Sequence, residues 1–230
     1  MVGQFLFDSA FANGAYSHSF GLESYISWGK VKDSKSYQLW LERYMLDVFA
    51  VSDGAVYAMA CMLKDKKLSL LKLARVAISS ISSVECRAGT ISMARATLKN
   101  TEFMHNELAK WYYSVSEDDK YAHPAIAFAV LSSSMSSEYA YSTIKTLTQN
   151  ATRAIPLSYK KSSELLHINI ELANKSAKKS FEVAEKALSR GYFSLNNLDD
   201  SLANTIFSTH HELDIAMLAH EKLDFRLFMS

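Results

Sequence analysis

Histidine is the residue type in this sequence best suited to metal chemistry: there are seven, three of them near the C-terminus. His211 and His220 are each followed by glutamate, but nine residues at about 100° each place the two rings on opposite faces of a continuous helix. A zinc-binding HExxH motif needs a second histidine four residues after the first, and Ile215 stands there. The spacing predicts no resident metal site. Solvated or capping histidines are the expected role, and transient metal contact or a metal shared with a partner stays open.

The stretch Gly14–Gly21 is the next candidate for chemistry, because glycine-rich turns can bind phosphate. It lacks the G-K-[ST] ending that reaches phosphate and magnesium, and no GxSxG surrounds Ser17. We therefore expect neither a nucleotide site nor a catalytic serine. Residues 8–21, here called the entrance loop, place Tyr16 and His18 before a helix, so the loop is either a tight turn or a partner-binding segment.

The C-terminal residues are unusually apolar. Phe225, Leu227, Phe228 and Met229 surround Arg226, whereas chain ends are usually polar and frayed. Apolar residues at an end need a surface to bury against. The sequence leaves two alternatives: docking on the chain's own bundle, or docking on another chain, since Phe and Arg are enriched at interface centres.

The elements that must position these residues are predicted to be helices. The 230 residues include only seven glycines and two prolines, where average usage gives about 16 and about 11. Apolar residues recur at spacings of three and four, which is the helical period. We predict an all-α, single-domain bundle of about ten helices with short connections over residues 1–230. Residues 1–16 are expected to be an extended or loop-like start and 210–230 a partner-dependent tail, with the apolar stretch Ala125–Leu131 in the central helix.

Charge and cysteine usage exclude several classes of function. Lys plus Arg number 25 and Asp plus Glu 24, so no overall field steers the chain to nucleic acid or to an anionic membrane. Cys61 and Cys86 form no CxxC pair, as is usual in a reducing compartment. The sequence shows no secretory leader and no uncharged apolar run of 18 residues. The expected location is the cytoplasm.

Several short motifs, in order and at matching spacing along nearly the whole chain, resemble the UreF family of urease accessory proteins. The motifs are Phe7–Phe11, Gly14–Gly21 followed by Leu22-Glu23, Val84–Arg87, Ala154–Leu157 as a helix start, and His220-Glu221 followed by Arg226–Ser230. The chain departs from the family pattern at Ala12, Cys86 and Tyr159, where the family usually has proline, leucine and glutamine. These departures bear on partner contacts at those three positions.

The resemblance implies a helical, dimeric accessory protein rather than an enzyme. Such proteins bind the accessory protein UreD or UreH, recruit the GTPase UreG and act on apo-urease, so that GTP hydrolysis is coupled to nickel insertion. No tightly bound cofactor is implied: GTP belongs to the partner, and nickel would at most pass in transit.

The resemblance also implies roles for particular residues. Those tied to GTPase recruitment are Tyr16, His18, Glu23 and Arg153. Those tied to UreD/UreH binding are His220, Glu221, Phe225, Arg226, Leu227 and Phe228. From the residues alone, Glu23 and Arg153 could equally serve helix ends. Two other functions stay open: a small helical hydrolase or metal-binding protein that uses the histidines, and a helical interaction module unrelated to urease.

Overall fold

A computed structural model describes residues 2–63, 66–132, 137–190, 202, 205–206 and 208–230. Within these ranges the chain is built from helices and contains no strand, which confirms the predicted all-α bundle. The α-helices are α1 Val2–Leu6, α2 Leu22–Ser27, α3 Ser34–Arg43, α4 Asp53–Leu63, α5 Lys67–Ser79, α6 Val84–Lys99, α7 Glu107–Val115, α8 Pro124–Ser132, α9 Glu138–Ala154, α10 Tyr159–Ile168, α11 Ile170–Ser189 and α12 His211–Ala219.

Helix α8 lies at the centre of the bundle. Every residue from Pro124 to Val130 is buried, and the helix packs against α4, α6, α7 and α1. A helix enclosed on all sides has no polar face to show to water, so its sequence is apolar around its whole circumference. The prediction of a central helix at this position is confirmed.

Two apolar clusters form the core, and Tyr139 packs against both. The first cluster centres on α4 and α8, and the second joins α2 and α3 to α9, α11 and α12. The Tyr139 ring lies 5.4 Å from Phe128 and 5.3 Å from Phe49, measured between ring centroids. The C-terminal helix α12 is therefore part of the core of the same chain, through Leu213 and Ala216.

The continuous helical stretch Ser34–Leu63 is long and apolar enough to cross a bilayer by length and composition. It joins α3 to α4 through a π-helical turn at Tyr44–Val48 and a 3₁₀ turn at Phe49–Val51. In its most apolar window, 72% is buried inside the protein. Burial of that extent is what a core helix of a globular protein shows.

Two local predictions need correction. Residues 1–16 are not wholly extended, because α1 forms within them and buries Leu6 against α8. The motif at Ala154–Leu157 does not begin a helix at Pro156. Helix α10 begins at Tyr159 instead, since the Ser158 hydroxyl accepts a hydrogen bond from the Lys161 amide and so caps the helix there.

Candidate functional site at the entrance loop and the C-terminal segment

The C-terminal segment, residues 210–230, docks on its own chain through α2. The Ser24 hydroxyl donates to the carbonyl of Ala216 at 2.6 Å, and Lys30 forms an ion pair with Glu212. Gly21 precedes α2 with φ +87°, and a Cβ there would lie 3.3 Å from the Met217 side chain. Glycine therefore allows both the left-handed turn and the close approach of α12.

Four ionisable side chains meet where α12 ends. One oxygen of Glu23 lies 2.9 Å from His220 Nε2, and one oxygen of Glu85 lies 2.6 Å from His220 Nδ1. Arg226 donates to the other oxygen of Glu85 at 2.6 Å. His220 is fully buried and Glu23 nearly so. We call Glu23, Glu85, His220 and Arg226 the charge cluster.

Glu23 also holds the backbone that follows. Its carboxylate accepts hydrogen bonds from the amides of Leu227 at 2.5 Å and Phe228 at 3.2 Å. Buried amides need partners, and α2 supplies one carboxylate for both. Glu23, expected to recruit a GTPase or to cap a helix, is in this structure the main anchor of the C-terminal segment.

The entrance loop pairs with the last residues of the segment. The Met229 amide donates to the Ser17 carbonyl at 2.7 Å, and the Ser19 amide donates to the backbone oxygen of Ser230. His18 Nδ1 lies 2.8 Å from the Ser230 hydroxyl. Burial, and next the nearby charge of His220, lower the pKa of His18, so this ring is neutral near pH 7.

Gly89 on α6 makes room for the His18 ring. A Cβ at residue 89 would lie 2.5 Å from His18 Cε1, a distance that real Cβ atoms essentially never show. His18 is buried, and Asn150 on α9 holds its backbone by donating to the His18 carbonyl at 2.8 Å. Glycine at position 89 is thus required by packing.

Arg153 joins α9 to both parts of this arrangement. It donates to the Tyr16 carbonyl at 3.1 Å, and its guanidinium lies 5.0 Å from the centroid of the Phe228 ring. Phe228 is buried beneath it. The residues expected at two separate partner surfaces therefore lie together: Glu23, His18 and Arg153 contact the very segment that carries Arg226, Leu227 and Phe228.

The outer face of the docked segment is apolar and exposed. Phe225 is 74% exposed, Met229 69% and Leu227 43%, while Phe228 between them points inward. Glu221 is also exposed, at the end of the 3₁₀ turn His220–Lys222. Contiguous exposed apolar side chains on a folded chain mark a surface suited to a protein partner. Docking on the chain's own bundle and docking on a partner are thus compatible, because they use opposite faces of the segment.

Tyr16 borders this surface from the entrance loop. It lies in the 3₁₀ turn Ala15–Ser17 and is half-buried. Burial raises the pKa of its hydroxyl, so the group is neutral at physiological pH. Its hydroxyl interacts with the Thr146 side chain, so the exposed part of the ring is what it can offer to a partner.

A cavity of about 300 Å³ with a mixed polar and apolar lining lies between α4, α6 and α12. Asp53 and His123 form a pair on its wall, with 3.3 Å between Oδ1 and Nε2. Cys86 also lines it, but burial raises the pKa of this thiol and keeps it protonated. The cavity draws its walls from segments far apart in sequence, so no local motif could predict it, and its thiol is not activated for nucleophilic chemistry.

Glu23, Glu85 and His220 meet in the charge cluster, but the part of the chain that the structure describes contains no arrangement of side chains suited to bind a metal ion. No group of three or more His, Cys, Asp or Glu residues there has the geometry to hold a metal ion. His220 uses both ring nitrogens for carboxylates, and His211 lies at the opposite end of α12.

Sequence reasoning missed the roles of Glu85 and Gly89. Glu85 was part of a recognised motif, Val84–Arg87, without an assigned partner, and that motif was the available signal. Gly89 lies inside a helix, where an isolated glycine indicates close packing, but the sequence does not say against what. Ser230 was likewise not expected to be fully buried.

The sequence of this chain is similar to those of known proteins over nearly its whole length. The profile of the UreF family matches residues 31–167. A protein of Lachnoclostridium phytofermentans called "Urease accessory protein UreF" is 30% identical over 241 residues, covering 98% of this chain and 96% of the relative. The chain belongs to the UreF family. Relatives of the same name from Streptococcus salivarius and Streptococcus thermophilus are each 30% identical over 236 residues, covering 97% of the chain and 91% of the relative. The similarity of this UreF chain thus extends over the C-terminal segment as well as the bundle.

Proposed function

We propose that this UreF chain is a cytoplasmic, non-enzymatic accessory protein in urease maturation, bridging UreD/UreH and the GTPase UreG on apo-urease. The observation that carries the proposal is the contact between the docked C-terminal segment and the entrance loop. The names of the relatives, urease accessory proteins, support the urease part of the proposal. In this role the chain couples GTP hydrolysis on UreG to nickel insertion.

The exposed face of the C-terminal segment is the surface we assign to UreD/UreH. Phe225, Leu227 and Met229 supply apolar area, and Arg226, 43% exposed at its side chain, supplies a charge at its edge. Apolar and aromatic groups with an arginine are the composition of interface centres. His220 supports this face from the end of α12, and Glu221 lies exposed beside it, where a partner could contact it.

The entrance loop is the surface we assign to UreG. Tyr16 offers its ring beside Arg153, while Glu23 and His18 hold the loop against the C-terminal segment. A scaffold can order the switch segments of a GTPase without contributing a catalytic group. Nickel passing through the complex would be held weakly, because a tight site would not release it. We also propose that the chain acts as a homodimer.

Urease activation in cells tests the whole role. A strain with the complete urease gene set, lacking only this chain, should produce apo-urease, and the wild-type chain should restore activity. Urease activity that persists without the chain would contradict the proposal.

Purified partners test the two surfaces separately. Removal of residues 225–230, or Phe225→Ser alone, should abolish or weaken co-purification with UreD/UreH. Phe103→Ser is the matched control, since Phe103 is 78% exposed and its ring contacts Phe5 of α1. Tyr16→Ala should keep UreD/UreH binding but weaken UreG recruitment. Unchanged binding by either variant would remove that surface from the proposal.

The alternative of a hydrolase that uses the histidines is tested by the same purified protein. Turnover of GTP by the chain alone, or stoichiometric metal retained without partners, would favour it over the accessory role.

A further inference from the structure

His220 is enclosed by acceptors. It is fully buried, with Glu85 2.6 Å from one ring nitrogen and Glu23 2.9 Å from the other. An ionised carboxylate only accepts hydrogen bonds, so in each of the two short contacts a proton must lie between the ring nitrogen and the carboxylate oxygen. A neutral imidazole carries a proton on one nitrogen alone. Since carboxyl groups lose protons more readily than imidazole does, both protons belong to the ring.

We propose that His220 is a buried imidazolium that clamps the C-terminal segment between Glu23 and Glu85, and that loss of its proton releases the segment as the pH rises. The docked cluster is then neutral, with two carboxylates balanced by His220 and Arg226. Deprotonation leaves a ring lone pair facing a carboxylate oxygen at a fully buried imidazole. The repulsion acts on whichever carboxylate faces the deprotonated nitrogen. Both carboxylates hold the segment, because Glu23 accepts from the Leu227 and Phe228 amides and Glu85 accepts from Arg226.

The other groups around His220 do not replace its charge. His18 in the entrance loop is neutral, since burial and the charge of His220 lower its pKa. Cys86 on α6 is protonated, because burial raises its pKa. Arg226 pairs with the far oxygen of Glu85, and Arg153 on α9 is engaged with Phe228 and the Tyr16 carbonyl. Histidine is the side chain whose charge ordinarily changes near neutral pH, so the docking of the segment is compared below and above that range.

This inference rests on the proposed function only in its consequence for partners. If the docked segment binds UreD/UreH, recruitment weakens as the pH rises. The proton-dependent docking itself is a property of the isolated chain.

Hydrogen–deuterium exchange of the wild-type chain between pH 6.5 and pH 8.5 tests the clamp, with rates corrected for the intrinsic effect of pH. Protection of the Leu227 and Phe228 amides should fall by up to about tenfold per pH unit where His220 titrates, because one proton is released. Amides of α8 should keep constant protection. His220→Gln should expose the two amides already at pH 6.5 and abolish the pH dependence, whereas His167→Gln, at an exposed histidine, should behave as wild type.

Constant protection of Leu227 and Phe228 across this range, or a wild-type slope in His220→Gln, would overturn the clamp. Should His220→Gln disturb folding, seen as lost α8 protection, nitrogen-15 NMR of the wild-type ring decides: both ring nitrogens protonated at pH 6.5 support the clamp, and a neutral ring refutes it. UreD/UreH binding at pH 6.5 and pH 8.5 is the separate arm. If the segment opens with pH while binding is unchanged, the clamp holds and the partner role proposed for the segment fails.

Discussion

Glu23→Ala is the substitution that should affect the docked C-terminal segment most. It removes the acceptor for His220 Nε2 at 2.9 Å and for the amides of Leu227 and Phe228. Glu23 is only 6% exposed, so water cannot readily take its place. The change leaves a buried imidazolium with one carboxylate partner instead of two, and leaves two amides unpaired.

The free-energy cost of Glu23→Ala follows from the loss of these three contacts. Breaking a buried ion pair by removing one partner costs about 3–5 kcal/mol, a range that includes leaving its hydrogen-bond partners unsatisfied. At about 1.4 kcal/mol per factor of ten, the docking equilibrium of the segment should fall by roughly a hundredfold to a few thousandfold. Because the segment can open locally, the free energy of global unfolding should change less.

Hydrogen–deuterium exchange at pH 6.5 measures this effect at peptides from residues 223–230, with α8 as the internal reference. Glu23→Gln should lose less protection than Glu23→Ala, because the amide oxygen still accepts from the backbone. Glu221→Ala, at an exposed acid two residues from Leu223, is the matched control. If Glu23→Ala kept wild-type protection in these peptides, Glu23 would not be the anchor of the segment.

Three further outcomes are expected. Gly89→Ala should destabilise the protein by about 1–3 kcal/mol in thermal unfolding, since the new Cβ must displace the His18 ring; an unchanged midpoint would contradict the packing argument. Ser83→Ala should cost about 1 kcal/mol in urea unfolding, because the Ser83 hydroxyl caps α6 by accepting from the Cys86 amide at 3.3 Å; a loss near zero would mean that the cap is dispensable. The lowered pKa of His18 means that the unfolded chain binds more protons than the folded chain below the ordinary imidazole range, so stability should fall on acidification below about pH 6.5. His18→Gln should reduce this loss of stability at acidic pH. An unchanged loss in the variant would mean that another group causes it.

Local sequence signals predicted the helical bundle well. The scarcity of glycine and proline, together with the apolar circumference of residues 125–131, was enough to predict helices and the central position of α8. The cap of α3 is equally local, since the Asp33 carboxylate accepts from the Ser36 amide at 2.8 Å. These features depend on neighbouring residues, which a single sequence displays directly.

The charge cluster could not be predicted from local patterns. Glu23 and Glu85 lie 197 and 135 residues from His220 along the chain, so only the packing of α2, α6 and α12 brings them together. The family resemblance named Glu23, His220 and Arg226 but assigned them to two different surfaces. The residue at which α10 begins was also predicted wrongly. Proline at residue 156 suits a first helical turn, but Ser158 is the residue that caps the helix, so α10 begins at Tyr159.

The most direct test of the account is the exchange footprint of partners on this chain. Hydrogen–deuterium exchange should be measured on the chain alone, with UreD/UreH, and with UreD/UreH plus UreG. The account predicts that UreD/UreH slows exchange at residues 225–229 and that UreG then slows exchange at the entrance loop around Tyr16. Protection by both partners confined to other faces, such as the exposed sides of α5 and α11, would contradict the claim that the docked segment and the entrance loop form the partner surface.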